Sequence, residues 1–205
     1  MSNQLPTDYQ SFIHKSRYAK YFDGEGRESW GDTVARYVKN IVGDKADKKT
    51  LKQLEQAILG LEVMPSMRAL MTSGPAADRD NTCMYNCSFL PVDDLKSFDE
   101  AMFILLCGTG VGFSVERQFI TKLPEVPQLF QSETNIMVKD SKEGWAKSLR
   151  QLIALLYSGE VPTWDVSKVR AAGAPLKTFG GRASGPAPLV DLFNFTINTF
   201  RKAEG

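Results

Sequence analysis

Histidine is almost absent: His14 is the only one in 205 residues, which excludes a histidine pair for acid–base work and a histidine-built metal centre. Cysteine is nearly as scarce. Three of them, an odd number in a chain this long, do not make a disulfide scaffold. Nor do three cysteines and one distant histidine supply the four ligands that a structural zinc takes. Neither sign of charge dominates, since 25 Lys and Arg face 24 Asp and Glu for a net +1. That argues against nucleic acid as a partner, because its binders carry a basic excess or stripe. A small phosphorylated ligand, held by a few amides and one arginine, stays open. Long apolar runs are lacking too: residues 101–107 form the longest and fall far short of a membrane span. The opening Met1-Ser2-Asn3-Gln4-Leu5-Pro6 lacks the basic-then-apolar pattern of a secretory signal. The expectation is a cytoplasmic protein with no membrane partner.

What is present is ordinary globular material, with 42% hydrophobic and 24% charged residues. The length allows one large domain or two small ones. Residues 1–62 read as a helical N-terminal region. Trp30, Val34, Tyr37, Val38 and Ile41 recur at helical spacing behind Ser29 as N-cap, and Leu51, Leu54, Ile58 and Leu61 mark a second amphipathic helix. These stripes are packing surface, and His14 is expected at the surface or half-buried.

From residue 63 to 205 the texture is α/β. Arg68 to Thr72 reads as a short strand, followed by turns, and Cys87 to Leu90 as a strand stopped by Pro91. Ser97-Phe98-Asp99-Glu100 has the spacing of a capping box opening a helix to Gly108, after which Val111 to Val115 returns as a strand. Gln118 to Glu133 reads as loop. Asp140-Ser141-Lys142-Glu143 caps a helix striped by Trp145, Leu149, Leu152, Ile153 and Leu156, which Gly159 stops. Thr163 to Val169 reads as a strand. A glycine-rich segment, 179–186, then leads into a helix with Leu189, Leu192, Phe193, Ile197 and Phe200, where proline suits the first turn. Strand, helix and strand in that order imply an α/β sheet or barrel.

The chemistry concentrates around one thiol. Cys87 lies in the run Tyr85-Asn86-Cys87-Ser88-Phe89-Leu90, and Gly108-Thr109-Gly110-Val111-Gly112 follows about twenty residues later. The alternative is a core cysteine in a buried strand, since free cysteine is among the most buried residue types. A disulfide from Cys83 to Cys87 is awkward if Cys87 is in a strand. Cys107, at a helix C-terminus where the macrodipole disfavours a thiolate, reads as packing. The 108–112 glycines follow a helix and precede a strand, the wrong context for a dinucleotide fingerprint. They leave a turn that lets a ligand approach the backbone, or one that packs closely on a neighbouring strand. Gly180, Gly181, Arg182, Ala183, Ser184 and Gly185, before a helix, suit an anion-binding or shape-changing loop, or an ordinary connection.

Six segments in register carry a resemblance. They are Arg27-Glu28-Ser29-Trp30 with Thr33-Val34 and Arg36-Tyr37; Pro65-Ser66-Met67-Arg68-Ala69-Leu70; Tyr85-Asn86-Cys87-Ser88-Phe89; Gly110-Val111-Gly112-Phe113-Ser114-Val115; Asp140-Ser141-Lys142-Glu143-Gly144-Trp145; and Phe179 to Pro186. Together they resemble the N-terminal part of an adenosylcobalamin-dependent (class II) ribonucleotide reductase, closest to the monomeric ribonucleoside-triphosphate type.

The resemblance implies a helical region followed by the first half of a ten-stranded α/β barrel. It implies thiyl-radical reduction of ribonucleotides, in which a dithiol pair delivers electrons to the ribose and becomes a disulfide. Cys87 matches the member of that pair on the first barrel strand. Ser66, Arg68, Asn86, Gly110, Val111 and Gly112 fall in the matching substrate site. Asp94 and the Gly180, Gly181, Arg182, Ser184 and Gly185 loop match the region that reads a deoxynucleotide effector. The thiyl cysteine, the second redox cysteine and most contacts to adenosylcobalamin belong to segments with no counterpart here. The chain is therefore expected to be inactive alone and to need a complementary C-terminal half, whether through a split gene, an intein interruption or a cut chain, and a thioredoxin-like or dithiol reductant. The alternative is a non-catalytic nucleotide-binding or regulatory module built on the same fold.

Overall fold

Short polar side chains set several of the helix starts. Thr7 and Ser29 each form a reciprocal capping box, with Gln10 and Asp32 respectively, and Asp47 accepts from the Thr50 amide at 2.7 Å. The computed structural model describes residues 5–22, 24, 26–176 and 181–204. Contacts divide these residues into two units, one ending at Asn86 and one beginning at Cys87, later than the 62/63 boundary expected from the sequence.

The first unit holds α1 (Asp8–Ile13), a small antiparallel pair of β1 (Tyr21–Phe22) and β2 (Gly26–Arg27), then α2 (Trp30–Tyr37), α3 (Lys48–Leu59), α4 (Met67–Thr72) and α5 (Pro75–Arg79). Both α1 and α2 run on into π-helical turns. Trp30, Val34, Val38, Ile58 and Leu70 form its core, with Leu51, Leu54 and Met67 packed on them. The apolar periodicity read over α2 and α3 is thus the packing surface expected.

Three expectations fail in this unit, the first being the turns after Thr72, where Pro75–Arg79 is helical. Arg68 to Thr72 is helical, not a strand: Thr72 Oγ1 donates to the Arg68 carbonyl at 2.8 Å, and Ala69 and Leu70 are buried. A run this short carries no periodicity to separate the two states. His14 is buried, only 3% exposed, where a surface or half-buried position was expected. Its ring stands edge-on to Trp30 with centroids 5.6 Å apart.

The second unit alternates strand and helix: β3 (Cys87–Pro91), α6 (Lys96–Leu106), β4 (Gly110–Ser114), α7 (Arg117–Ile120), β5 (Phe130–Met137), α8 (Lys142–Tyr157), β6 (Glu160–Asp165) and α9 (Ala187–Lys202). β3 pairs parallel with β4 across α6, and β5 pairs parallel with β6 across α8. Leu149, Leu152, Ile153 and Leu156 bury one stripe of α8 against Val161, Ile136 and Val138, and Leu189, Phe193, Ile197 and Phe200 of α9 close the same core. Burying each large aliphatic side chain contributes about 1.5–3 kcal/mol.

The α/β class is as expected, but among the described residues the strands pair two by two rather than as a continuous half-barrel. Ser97 does not cap α6. It is buried and donates to the Pro91 carbonyl at 3.0 Å, while Asp94 Oδ1 accepts from the Lys96 amide at 2.8 Å. The loop expected over Gln118 to Glu133 gives way at Phe130 to β5, whose polar, mostly exposed residues hide the strand period. The last strand begins at Glu160, not Thr163, and accommodates Pro162, which the sequence suggested would lie outside it.

Candidate functional site

The parallel register of β3 and β4 sets Cys87 opposite Gly110, Ser88 opposite Val111 and Phe89 opposite Gly112. Successive side chains alternate between faces, so Cys87 and Phe89 share one face and Ser88 and Leu90 the other. Leu90 is buried, whereas Cys87 is exposed as a free thiol and Phe89 is 66% exposed. The bland alternative of a core cysteine is thereby excluded for Cys87. Ser88 Oγ donates to the Gly110 carbonyl at 3.0 Å and locks the two strands beside the thiol. Gly110 and Gly112 leave the neighbouring strand without side chains on the thiol's face. A methyl added at Gly112 would meet Ser88 O at 3.6 Å and the Phe89 ring at 3.7 Å, ordinary contact distances, so glycine at 112 is not forced by packing alone.

The other cysteines are elsewhere in character. Cys83 is buried in the 3-10 turn Asn81–Met84, and Cys107 is buried at the end of α6, where Lys142 Nζ lies 3.1 Å from its sulfur. Cys107 is packing, as expected. Ser66 and Arg68 belong to the first unit: Ser66 is exposed at the N-cap position of α4, and Arg68 Nε donates to the Cys83 carbonyl at 2.8 Å. Asn86 is exposed at the end of that unit.

The described part of the glycine-rich loop is tied back onto residues 173–176. Gly180 lies outside the described residues. Gly181 has φ of +90°, a left-handed turn that glycine permits, and its carbonyl accepts from the Leu176 amide at 3.0 Å. The Ala183 amide donates to Ala174 O at 2.8 Å, and Arg182 Nη1 donates to Gly173 O at 3.0 Å. Ser184 Oγ donates to the Gly185 carbonyl at 3.1 Å. Gly185 is buried at φ of +74°, and a Cβ there would come within 2.9 Å of the Ala172 amide nitrogen. These bonds tether 181–183 to 173–176, and α9 starts beyond them at Ala187. Asp94 is likewise engaged, its Oδ1 accepting from the Lys96 amide.

Two features were not read from the sequence. A cleft of about 580 Å³ lies between α6 and α8, lined by Asp99, Phe103, Ile104, Ala146, Lys147 and Arg150. Asp99 Oδ2 accepts both Arg150 Nε and Nη2, at 2.9 and 2.7 Å, which raises the guanidinium's affinity for its proton. The second feature is a buried polar chain in the first unit. Glu28 accepts from Arg36 through Nε and Nη2, from Thr33 Oγ1 at 2.7 Å and from the Lys20 amide at 3.1 Å. Burial pushes its carboxyl up, but the bonds from Arg36, the Lys20 amide and Thr33 together hold it below the ordinary range. Because Thr33 spends its one proton on Glu28, His14 Nε2, 2.8 Å from the same hydroxyl, carries hydrogen. Burial holds the His14 imidazole below its usual range. Scattered residues with no common period gave no sequence signal for either feature.

Known proteins sharpen this picture. Residues 123–200 match the family model for the insertion domain of B12-dependent ribonucleotide reductase. A crystal structure of a B12-dependent (class II) ribonucleotide reductase superimposes with a TM-score of 0.77 at 24% identity, over 95% of this chain and 37% of that one. The chain thus resembles the N-terminal part of class II ribonucleotide reductases, as the six ordered segments implied. Within that class it is similar to adenosylcobalamin-dependent ribonucleoside-triphosphate reductases. It is 28% identical to that of Euglena gracilis over 88% of this chain and 28% of the relative. It is also 28% identical to that of Lactobacillus leichmannii over 87% of this chain and 34% of the relative. The chain therefore spans about a third of the length of the curated relatives it matches.

Proposed function

We propose that this chain carries one redox thiol of a ribonucleoside-triphosphate reductase, and that the thiol is Cys87. The supporting observation is its setting: a free, solvent-facing sulfur at the start of a parallel strand, with bare glycine backbone beside it. A thiol there gives a proton and reducing equivalents to the ribose and becomes half of a disulfide, which dithiol exchange with a thioredoxin-like or small dithiol reductant restores. Its disulfide partner comes from a complementary C-terminal portion, since Cys83 and Cys107 are both buried.

Adenosylcobalamin supplies the radical chemistry when bound, and its contacts belong mainly to that complementary portion. The only imidazole here, His14, is buried and bonded to Thr33, so it offers cobalt no ligand. No cluster of three His, Cys, Asp or Glu suited to a metal occurs among the described residues. Ser66, Arg68, Asn86 and the 110–112 backbone contribute to substrate binding in this reading. Asp94 and the 181–185 segment, tethered to 173–176, contribute to effector response in this reading.

The test is Cys87→Ser in the assembled protein. Ribonucleoside-triphosphate reduction should disappear while nucleotide binding persists. Turnover at the wild-type rate with serine at this position would end the proposal.

A further inference from the structure

We propose that Phe89 is the platform on which the substrate's base lies, so that β3 divides a nucleotide between a sulfur for its sugar and a ring for its base. The idea rests on the reductase reading of Cys87. Two residues apart on one strand face, the Cα atoms of Cys87 and Phe89 are about 7 Å apart along the strand, so one nucleotide can meet the sulfur with its sugar and the ring with its base. Phe89 is 66% exposed although Leu90, its chain neighbour on the opposite face, is 8% exposed. The strand therefore turns an aromatic outward beside the thiol and buries the aliphatic.

The partner strand agrees. Gly112 stands opposite Phe89, and the ring reaches over that glycine: a Cβ built there would lie 3.7 Å from Phe89 Cδ2. Gly110 stands opposite Cys87. The face presented at these four positions is one sulfur, one phenyl ring and two stretches of bare backbone. It holds no side chain able to read the hydrogen-bonding edge of a base. What it offers is an aromatic surface, and every base has a π face with which to meet it. The platform is thus indifferent to base identity, as an enzyme that reduces several ribonucleotides requires, and discrimination falls to groups elsewhere.

The experiment uses the intact reductase assembly. Equilibrium dialysis measures binding of ATP, CTP and ribose 5-triphosphate, which lacks a base, to wild type, Phe89→Ala, Phe89→Leu and Phe89→Tyr; sedimentation checks that each variant assembles. The expected result is affinity for ATP and CTP about tenfold weaker in the Ala and Leu variants, with the Tyr variant close to wild type. Ribose 5-triphosphate should bind all four proteins alike, and in turnover the loss should fall on KM rather than kcat. Leu keeps the apolar volume and removes only the π face, so nucleotide affinity at the wild-type level in Phe89→Leu overturns the platform. Equal weakening of ribose 5-triphosphate, loss of assembly in both Ala and Leu variants, or no nucleotide binding by wild type would overturn it as well. If Cys87→Ser abolishes turnover while the Phe89 variants bind normally, the platform fails and the redox thiol stands. If Cys87→Ser leaves turnover intact, the reductase reading itself fails.

Discussion

Replacing Arg36 by alanine should cost the first unit about 3–5 kcal/mol. The side chain is 12% exposed and its partner Glu28 only 2%. Removing the guanidinium strands a carboxylate in the interior with only Thr33 and the Lys20 amide to solvate it. It also strips donors from the Leu70 and Ser73 carbonyls, which Arg36 Nη1 meets at 2.9 and 2.8 Å, so the end of α4 loses its tie to α2. Trp30, buried in the same unit, reports the transition once Trp145 and Trp164 are changed to phenylalanine. With a urea dependence of about 2 kcal/mol/M, the midpoint should fall by about 2 M. Pairing Arg36→Met with Glu28→Gln should recover much of the loss, because the stranded charge goes with the cation. A midpoint shift under about 0.5 M for Arg36→Ala would show that water reaches Glu28, and the buried-chain account would be wrong.

His14 gives a pH prediction whose sign follows from its environment. Its folded-state pKa is depressed, so the stability it contributes is present above the unfolded value of about 6.5 and is lost as pH falls from there toward the folded value. Urea midpoints should decline across that window in wild type and stay flat in His14→Gln; equal slopes would reject the assignment. Glu28, also depressed, loses its contribution only at lower pH, as acid carries the carboxylate through its folded value. In the second unit, Leu152→Ala should destabilise by about 2–5 kcal/mol, read by thermal or urea unfolding, because the side chain is fully buried in the core of α8, β5, β6 and α9. A loss below about 1 kcal/mol would mean that the surrounding residues collapse into the space.

The long amphipathic helices were legible because their signals are local. Ser29 before Trp30 and Ser141 before α8 cap where the residue types said they would, and the buried leucines of α8 follow their spacing. The β3–α6–β4 order was legible for the same reason. What escaped was decided at a distance. Ser97 turns inward to the Pro91 carbonyl instead of capping a helix, and β5 exists because β6 pairs with it, not because its own residues alternate cleanly. At the site, the sequence singled out Cys87 and the glycines, but only the register shows that they stand opposite one another. The segment 180–185 suits an anion-binding or shape-changing loop or an ordinary connection by its residues, and nothing local reveals that Ala174 and Gly173 accept from Ala183 and Arg182.

The unequal burial of the three sulfurs has a practical consequence. Cys87 alone meets solvent, so a maleimide-borne spin label or fluorophore would tag the folded chain at a single atom with no background mutations. Any report from such a tag, of mobility, polarity or distance to a second probe, would come from the mouth of the proposed reaction site itself.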